Sequence, residues 1–322
     1  MNERQPSPER VTVLIAAYNA ASFVDRAIES AQAQTWPVHE ILVVDDASQD
    51  GTAEAVRALA VKDGRIRLLR LAQNGGPSKA RNAGLNAAIG DWIAVLDADD
   101  AMVPGRIKHL LHVAQTEQAD AVADNFAWFN VKSGSFSQAG LGEGQSPELI
   151  SAERFVDRAR PFNDESDWGL LKPMFRRAFM DEQKLHYPTK SRHGEDYLLM
   201  FDLLRAGGRY VLTREVGYHY TDRSSGFSRT RIDYGAMVDH SAQLLNDPFV
   251  AGNPRLRALM EQRVAAVRQL QTRYEAVSAV RGLQFGTLLT RGARDKAFAA
   301  AAFDFVRERS GAALRKIARL GR

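Results

Sequence analysis

Three carboxylates fall within four residues at Asp97-Ala98-Asp99-Asp100, immediately after the apolar run Trp92 to Leu96. Carboxylates packed this closely repel one another unless something positive binds. Hard oxygen ligands suit Mg²⁺ or Mn²⁺, ions that commonly bridge to substrate phosphates. The tetrad can also be a solvated acidic turn that caps the helix beginning near Pro104. Its place behind a buried strand favours the metal.

A second acidic pair, Asp45-Asp46, closes the apolar run Ile41 to Val44. An acid there can hydrogen-bond a base or ribose, or simply form a turn or cap. Asn74-Gly75-Gly76-Pro77-Ser78 leads into a helix with Arg81 one turn in. Backbone amides at a helix N-terminus favour anions, although an arginine here can also be an ordinary surface residue. Glu195-Asp196 precedes the apolar stretch Tyr197 to Leu204. A carboxylate at the lip of a pocket can accept a proton from a hydroxyl, and the same pair can act as a helix cap. The polar stretch from Tyr218 to Ser228, with Arg223, reads either as a segment closing over phosphates or as a plain loop.

The elements that must position these residues alternate. Val11 to Ala16, Ile41 to Val44, Ile66 to Leu71 and Trp92 to Leu96 read as short buried strands. Helices are expected from Ser22 and Asp25 to about Gln34, from about Thr52 to Val61, and from Ser78 to Ala88. Such alternation implies a mostly parallel sheet covered on both faces. Ligands of these sheets bind at the carboxyl ends of the strands, where Tyr18-Asn19 and both acidic clusters fall. Further on, Ala121 to Val131 reads as a strand, Lys132 to Ser146 as a loop or hairpin, Asp196 to Leu204 as a helix and Tyr210 to Leu212 as a short strand. From about Ile232 the apolar spacing is helical.

Composition narrows the chemistry. The 322 residues contain no cysteine, which excludes disulfides, thiolate zinc sites and cysteine nucleophiles. No apolar run approaches the ~20 residues needed to cross a bilayer. Met1 to Arg10 is polar and lacks the apolar core of a signal peptide, so a cytoplasmic protein is expected. The net charge of +4 hides an asymmetry: residues 251–322 hold 15 Lys and Arg against 5 Asp and Glu, leaving −6 on the rest. A basic tail on an acidic body suggests an anionic partner. No DNA- or RNA-reading motif is present, so nucleic acid is not expected.

Taken together, the runs VTVLIAAYNA, EILVVDDASQDGT, NGGPSKARNAGLNAAIGDWIAVLDADD and GEDYLLMFDLL resemble the family 2 glycosyltransferases, in order and spacing, over roughly residues 11–230. A narrower likeness is to bacterial exopolysaccharide transferases of the succinoglycan type. The resemblance implies an α/β GT-A fold, with a mostly parallel central sheet flanked by helices. It implies a catalytic domain over 11–231, whose nucleotide-binding half is 11–100 and acceptor half 101–231. A polar tail (1–10) would precede it and a helical basic extension (232–322) follow. By motif, Ala17, Tyr18 and Asn19 would line a uridine pocket, Asp46 would contact the uracil and Arg81 would help hold the nucleotide. Asp97 would approach the ribose and, with Asp99, hold the metal on the diphosphate, while Ala98 would line the donor site. Asp196 would be the catalytic base, and Arg223 would lie near the diphosphate.

The implied activity is metal-dependent, inverting transfer of a hexose, best guess glucose, from a UDP-sugar to a saccharide acceptor. A lipid-linked oligosaccharide of surface-polysaccharide synthesis is the expected acceptor. The Q-x-x-R-W motif of processive synthases is absent after Asp196, so addition of a single sugar is expected. The C-terminal residues interleave Arg and Lys with Leu, Phe and Ile. This pattern suits amphipathic helices on the anionic inner face of the membrane, and equally a helical bundle. Two other readings stay open: a nucleotidyltransferase, against which AAYNA stands where a glycine-rich, lysine-containing signature belongs, and a non-catalytic nucleotide-sugar-binding module.

Overall fold

The structure, a computed structural model, describes residues 9–190, 193–222 and 233–320, with side chains as far as Glu308. It divides into two compact units: Met1–Ala159 with Asn163–Ile232, and Arg160–Phe162 with Asp233–Arg322.

In the first unit one mixed sheet holds everything else. Its strands are β1 (Val11–Ala17), β2 (Glu40–Asp45), β3 (Ile66–Arg70), β4 (Trp92–Asp97), β5 (Ala101–Met102), β6 (Ala121–Asn130), β7 (Ser135–Ala139), β8 (Glu148–Ile150), β9 (Met174–Arg176) and β10 (Tyr210–Asp222). The order is β3-β2-β1-β4-β9-β6-β10-β5, with β7 paired to β6 and β8 to β10. Strands β3, β2, β1 and β4 are parallel; β9 is antiparallel to both β4 and β6. Register sets Ala17 beside Asp45 and Ala16 beside Asp97, so the acidic strand ends open on one edge of the sheet.

These strands form because their apolar residues have nowhere else to go. Val13, Leu14 and Ile15 of β1, and Ile41 to Val44 of β2, are fully buried. Helices α1 (Val24–Gln32), α2 (Thr52–Ala60), α3 (Pro77–Ala87) and α4 (Arg106–Thr116) cover the sheet. Close approach is needed under α3: a Cβ on Gly84 would lie 2.1 Å from Leu14 Cδ1. Helix α5 (Ala152–Arg158) packs on α7 (Glu195–Arg205), and α6 (Arg177–Glu182) follows β9.

Three expectations change. Helix α1 starts at Val24 without a side-chain cap, so Ser22 and Asp25 do not form a capping box. The acidic tetrad does not cap the next helix either, because α4 begins at Arg106 after Gly105. Strand β10 is 13 residues long, so Tyr218, His219 and Tyr220 are strand and not loop. Its irregular pairing with β6 between Leu212 and Tyr218 carries Arg214 and Glu215, which interrupt the apolar pattern.

A buried ion pair fixes α4 to this sheet. Arg106 Nε lies 2.9 Å from Asp124 Oδ2, and its Nη2 donates at 2.9 Å to Asp124 Oδ1 and at 2.5 Å to the carbonyl of Lys172. The guanidinium lies over the ring of Tyr218 at 5.0 Å. Both charges are out of solvent.

The second unit is helical: α8 (Tyr234–Leu244), α9 (Pro248–Ala251), α10 (Pro254–Arg281), α11 (Phe285–Gly292) and α12 (Lys296–Leu320). Asp233 caps α8 and Asn253 caps α10 through side-chain bonds to Ala236 N and Leu256 N. Ala276 and Ala279 of α10 enclose Phe298 of α12. Helix α11 buries none of its own residues.

Removing one member of a buried pair strands the other charge. Arg106→Leu should therefore destabilise the protein by about 3–5 kcal/mol, whereas Arg106→Leu with Asp124→Leu should recover most of that. Urea midpoints of the single and double variants check this, and equal losses in both would refute it.

Candidate active site

The tips of β1 and β2 are tied together first. Asn19, in the left-handed region at φ 49°, takes a bond from its backbone N–H to Ser48 Oγ at 2.9 Å and accepts Gln49 N at 2.9 Å. Ala17 is buried, while Tyr18 stands 47% exposed at the tip. Below them Asp46 is buried, and its carboxylate gathers the loop before α3. It accepts from Asn74 Nδ2 at 2.9 Å, Gly75 N at 2.8 Å and Gly76 N at 2.7 Å. Burial pushes its carboxyl up even though the two glycine amides favour the charged form. Both oxygens of Asp46, expected to face a uracil, are thus committed to shaping this loop. The loop and Thr189 enclose a cleft of about 190 Å³ at the start of α3.

Beside it, at the end of β4, four side chains close a circuit of alternating charge. Arg81 of α3 donates from Nη2 to Asp97 Oδ1 at 2.8 Å and from Nη1 to Asp196 Oδ1 at 3.3 Å. Lys172 Nζ reaches the remaining oxygens, Asp196 Oδ2 at 2.7 Å and Asp97 Oδ2 at 3.1 Å. Glu195 adds a third carboxylate on Arg81 Nη1 at 2.9 Å. Arg81 is 6% and Lys172 5% exposed by side chain. Burial opposes the charges of Arg81, Lys172 and Asp97, but their partners decide the outcome. Asp196 and Asp97 hold both cations well above their ordinary values. Lys172 and Arg81 hold Asp97 well below the usual carboxylate range. Burial and then Asp196 push Glu195 up.

The rest of the tetrad divides. Ala98 is buried in the turn. Asp100 is buried, accepting Tyr218 Oη at 2.8 Å and Thr221 N at 2.8 Å; burial, then Asp99 and Asp97, raise its carboxyl well above the ordinary value. Asp99 is half-buried, and its carbonyl accepts the Thr221 hydroxyl.

The structure therefore brings Arg81, Asp97 and Asp196 into contact from distant parts of the sequence. Both oxygens of Asp97, expected to help hold a metal, face cations belonging to the protein. Among the described residues no group of three or more His, Cys, Asp or Glu side chains is placed to hold a metal. A metal here would rely mainly on substrate phosphates and water, as Mg²⁺ commonly does, with Asp99 as the remaining carboxylate expected to hold it. Arg223 lies outside the described residues. Sequence reasoning missed Lys172. The signal was a lysine inside Leu170-Leu171-Lys172-Pro173-Met174-Phe175, because a charge embedded in an apolar run needs a partner.

Comparison with known proteins places this geometry. Residues 12–187 match the family model "Glycosyl transferase family 2". The chain is 37% identical to the succinoglycan biosynthesis protein ExoO of Rhizobium meliloti (strain 1021), over 82% of this chain and 78% of that one. It is 33% identical to ExoU of the same organism, over 84% and 78%. Among solved structures, S. aureus TarS 1-349 in complex with UDP-GlcNAc superposes with TM-score 0.64 at 18% identity, covering 92% of this chain and 81% of that one. A longer TarS chain, 40% of which is covered, gives 0.57 at 20% identity. The sheet order and helical layers are those of the GT-A fold, and the chain belongs to glycosyl transferase family 2.

Proposed function

We propose that the chain is an inverting hexosyltransferase using a UDP-sugar donor and a divalent ion, and adding one sugar to a lipid-linked saccharide acceptor of exopolysaccharide synthesis. The observation that carries this reading is the circuit joining Asp196, at the first turn of α7, to Arg81 and Asp97 at the mouth of the parallel strands. A carboxylate so placed can take the acceptor's hydroxyl proton while the hydroxyl attacks the anomeric carbon from the face opposite the diphosphate. One displacement inverts the centre. Support for the donor comes from TarS structures described as complexes with UDP and with UDP-GlcNAc. Support for the pathway comes from two relatives named for succinoglycan biosynthesis.

In this reading the circuit also controls the base. Both oxygens of Asp196 are held by cations of the protein. An incoming diphosphate competes for Arg81 and Lys172 and loosens their grip on Asp196, so the base is released as the donor binds. Asp99 would hold the ion, which supplies Lewis-acid neutralisation of the leaving diphosphate. Tyr18, exposed above the β1–β2 tips, would cover the base of the nucleotide, with Ala17, Asn19 and the Asp46-anchored loop shaping its pocket.

The second unit supports attachment to an anionic membrane surface. Leu283, Phe285 and Leu289 are 68%, 66% and 74% exposed, in a region whose sequence is rich in Arg and Lys. Such a surface suits the headgroup boundary.

Asp196→Asn should lower turnover by about a hundredfold or more, while calorimetry finds donor affinity unchanged or tighter. Near-wild-type turnover would remove Asp196 from the role. Nucleoside diphosphate release, screened across UDP-, GDP- and dTDP-sugars, should be greatest with a UDP-hexose. Chelation by EDTA and Asp99→Asn should each reduce it by roughly tenfold or more; equal release in EDTA would exclude the ion. In sedimentation with vesicles containing anionic lipid, Phe285→Gln with Leu289→Gln should stay in the supernatant while the parent protein pellets. Equal pelleting would exclude this face as the anchor.

A further inference from the structure

Four aromatic side chains from two neighbouring strands lead outward from the charge circuit. Tyr218 and Tyr220 lie on β10, Phe126 and Trp128 on β6, with Tyr218 opposite Phe126 and Tyr220 opposite Trp128 in register. Tyr218 and Phe126 are 2% and 1% exposed, Tyr220 9%, and Trp128 37%. The series thus runs from the buried Asp100, which the Tyr218 hydroxyl meets, to the surface.

Trp128 stacks on Tyr220, with ring centroids 4.8 Å apart and planes inclined by 29°, and the edge of Phe126 supports it at 6.1 Å. Tyr220 is itself fixed: its hydroxyl donates to the carbonyl of Leu170, two residues before Lys172. The charges of Lys172, Asp97, Asp100 and Asp196 all act on that hydroxyl. One ring therefore separates Trp128 from the charge circuit.

The other tryptophans are used differently. Trp92 and Trp168 are buried, and the indole of half-buried Trp36 donates to the Glu9 carbonyl. Trp128 is the one exposed tryptophan among the described residues, and its indole N–H has no acceptor among them. A rigid, flat, part-wet aromatic face with a free donor at its edge is costly to hold open and suited to a ligand that is apolar on one side and polar at its rim. A pyranose has that form. Its axial C–H bonds present an apolar face to the electron-rich ring, while its equatorial hydroxyls lie within reach of the indole N–H.

We propose that Trp128 is the stacking platform of an acceptor-saccharide subsite, receiving a pyranose ring beside Tyr220 at the entrance to the Asp196 circuit. The proposal rests on the transferase reading above and adds where the acceptor binds. Specificity at this subsite comes from the shape of the sugar's C–H face: rings with equatorial substituents lie flat, and those with axial ones are held off.

Labelled full-length protein on a printed array of gluco-, galacto- and manno-configured oligosaccharides tests this, with UDP-sugar uptake by calorimetry on the same samples. Trp128→Tyr, which keeps a flat ring, should retain array binding within about threefold. Trp128→Leu, which keeps apolar bulk without the flat face, should lose roughly tenfold or more, with UDP-sugar affinity unchanged in both. Equal saccharide binding by the Leu variant would overturn the platform. So would a parent protein that takes up UDP-sugar and binds no saccharide on the array. If no activated sugar binds to any of the three proteins, the transferase reading fails and this proposal falls with it.

Discussion

Arg81, Asp97, Lys172 and Asp196 share their charges in a closed ring of four ion pairs, and the surrounding fold has to satisfy that ring. Each charge taken out of water costs several kcal/mol, and removing any one leaves two neighbours facing an absent partner. The ring therefore tolerates little displacement of the four elements that contribute to it: α3, the end of β4, the segment entering β9, and the first turn of α7. Arg106 reinforces this. Its bond to the Lys172 carbonyl, and its seat between Asp124 and the Tyr218 ring, tie the lysine's backbone to α4, β6 and β10 together.

Parallel pairing makes such convergence affordable in chain length. Strands β1, β2 and β4 end in register, so residues 17, 45 and 97 arrive side by side although they lie far apart in the chain. The antiparallel insertion of β9 between β4 and β6 then brings the Lys172 segment up against the same edge. Glu195 and Asp196 begin a helix whose N-cap is Gly194 at φ 79°, a left-handed position that glycine occupies without strain. The positive end of that helix also favours two acids in its first turn.

How much of this was legible in the sequence follows from which forces are local. The buried strands and the acids at their ends are written in short apolar runs closed by aspartate, and β1, β2 and β4 fall within a residue or so of where those runs predict. Lys172 was legible only as a charge embedded in an apolar run, because its partners at positions 97 and 196 are tertiary. Asp46, a turn or cap by its own sequence and a uracil contact by resemblance, accepts from the amides of Gly75 and Gly76, which only folding brings near. The length of β10 was hidden by Arg214 and Glu215. The Tyr218-His219-Tyr220 alternation after them is a strand signal, but the polar residues that follow disguised it as a loop.

The charge balance of the site bears on what it can bind. Arg81 and Lys172 supply two positive charges against three carboxylates, Asp97, Glu195 and Asp196, and Asp99 stands next to them. Asp100 is pushed toward its neutral form by burial and by its acidic neighbours, which limits the excess without removing it. A diphosphate entering such a site meets a negative surround, and its affinity cannot come from the two protein cations alone while the carboxylates hold them. Either a further cation accompanies it, or Arg81 and Lys172 change partners. In the proposed reaction the first would supply charge at the leaving group and the second would free Asp196, so the same imbalance that opposes donor binding would couple it to release of the proposed base.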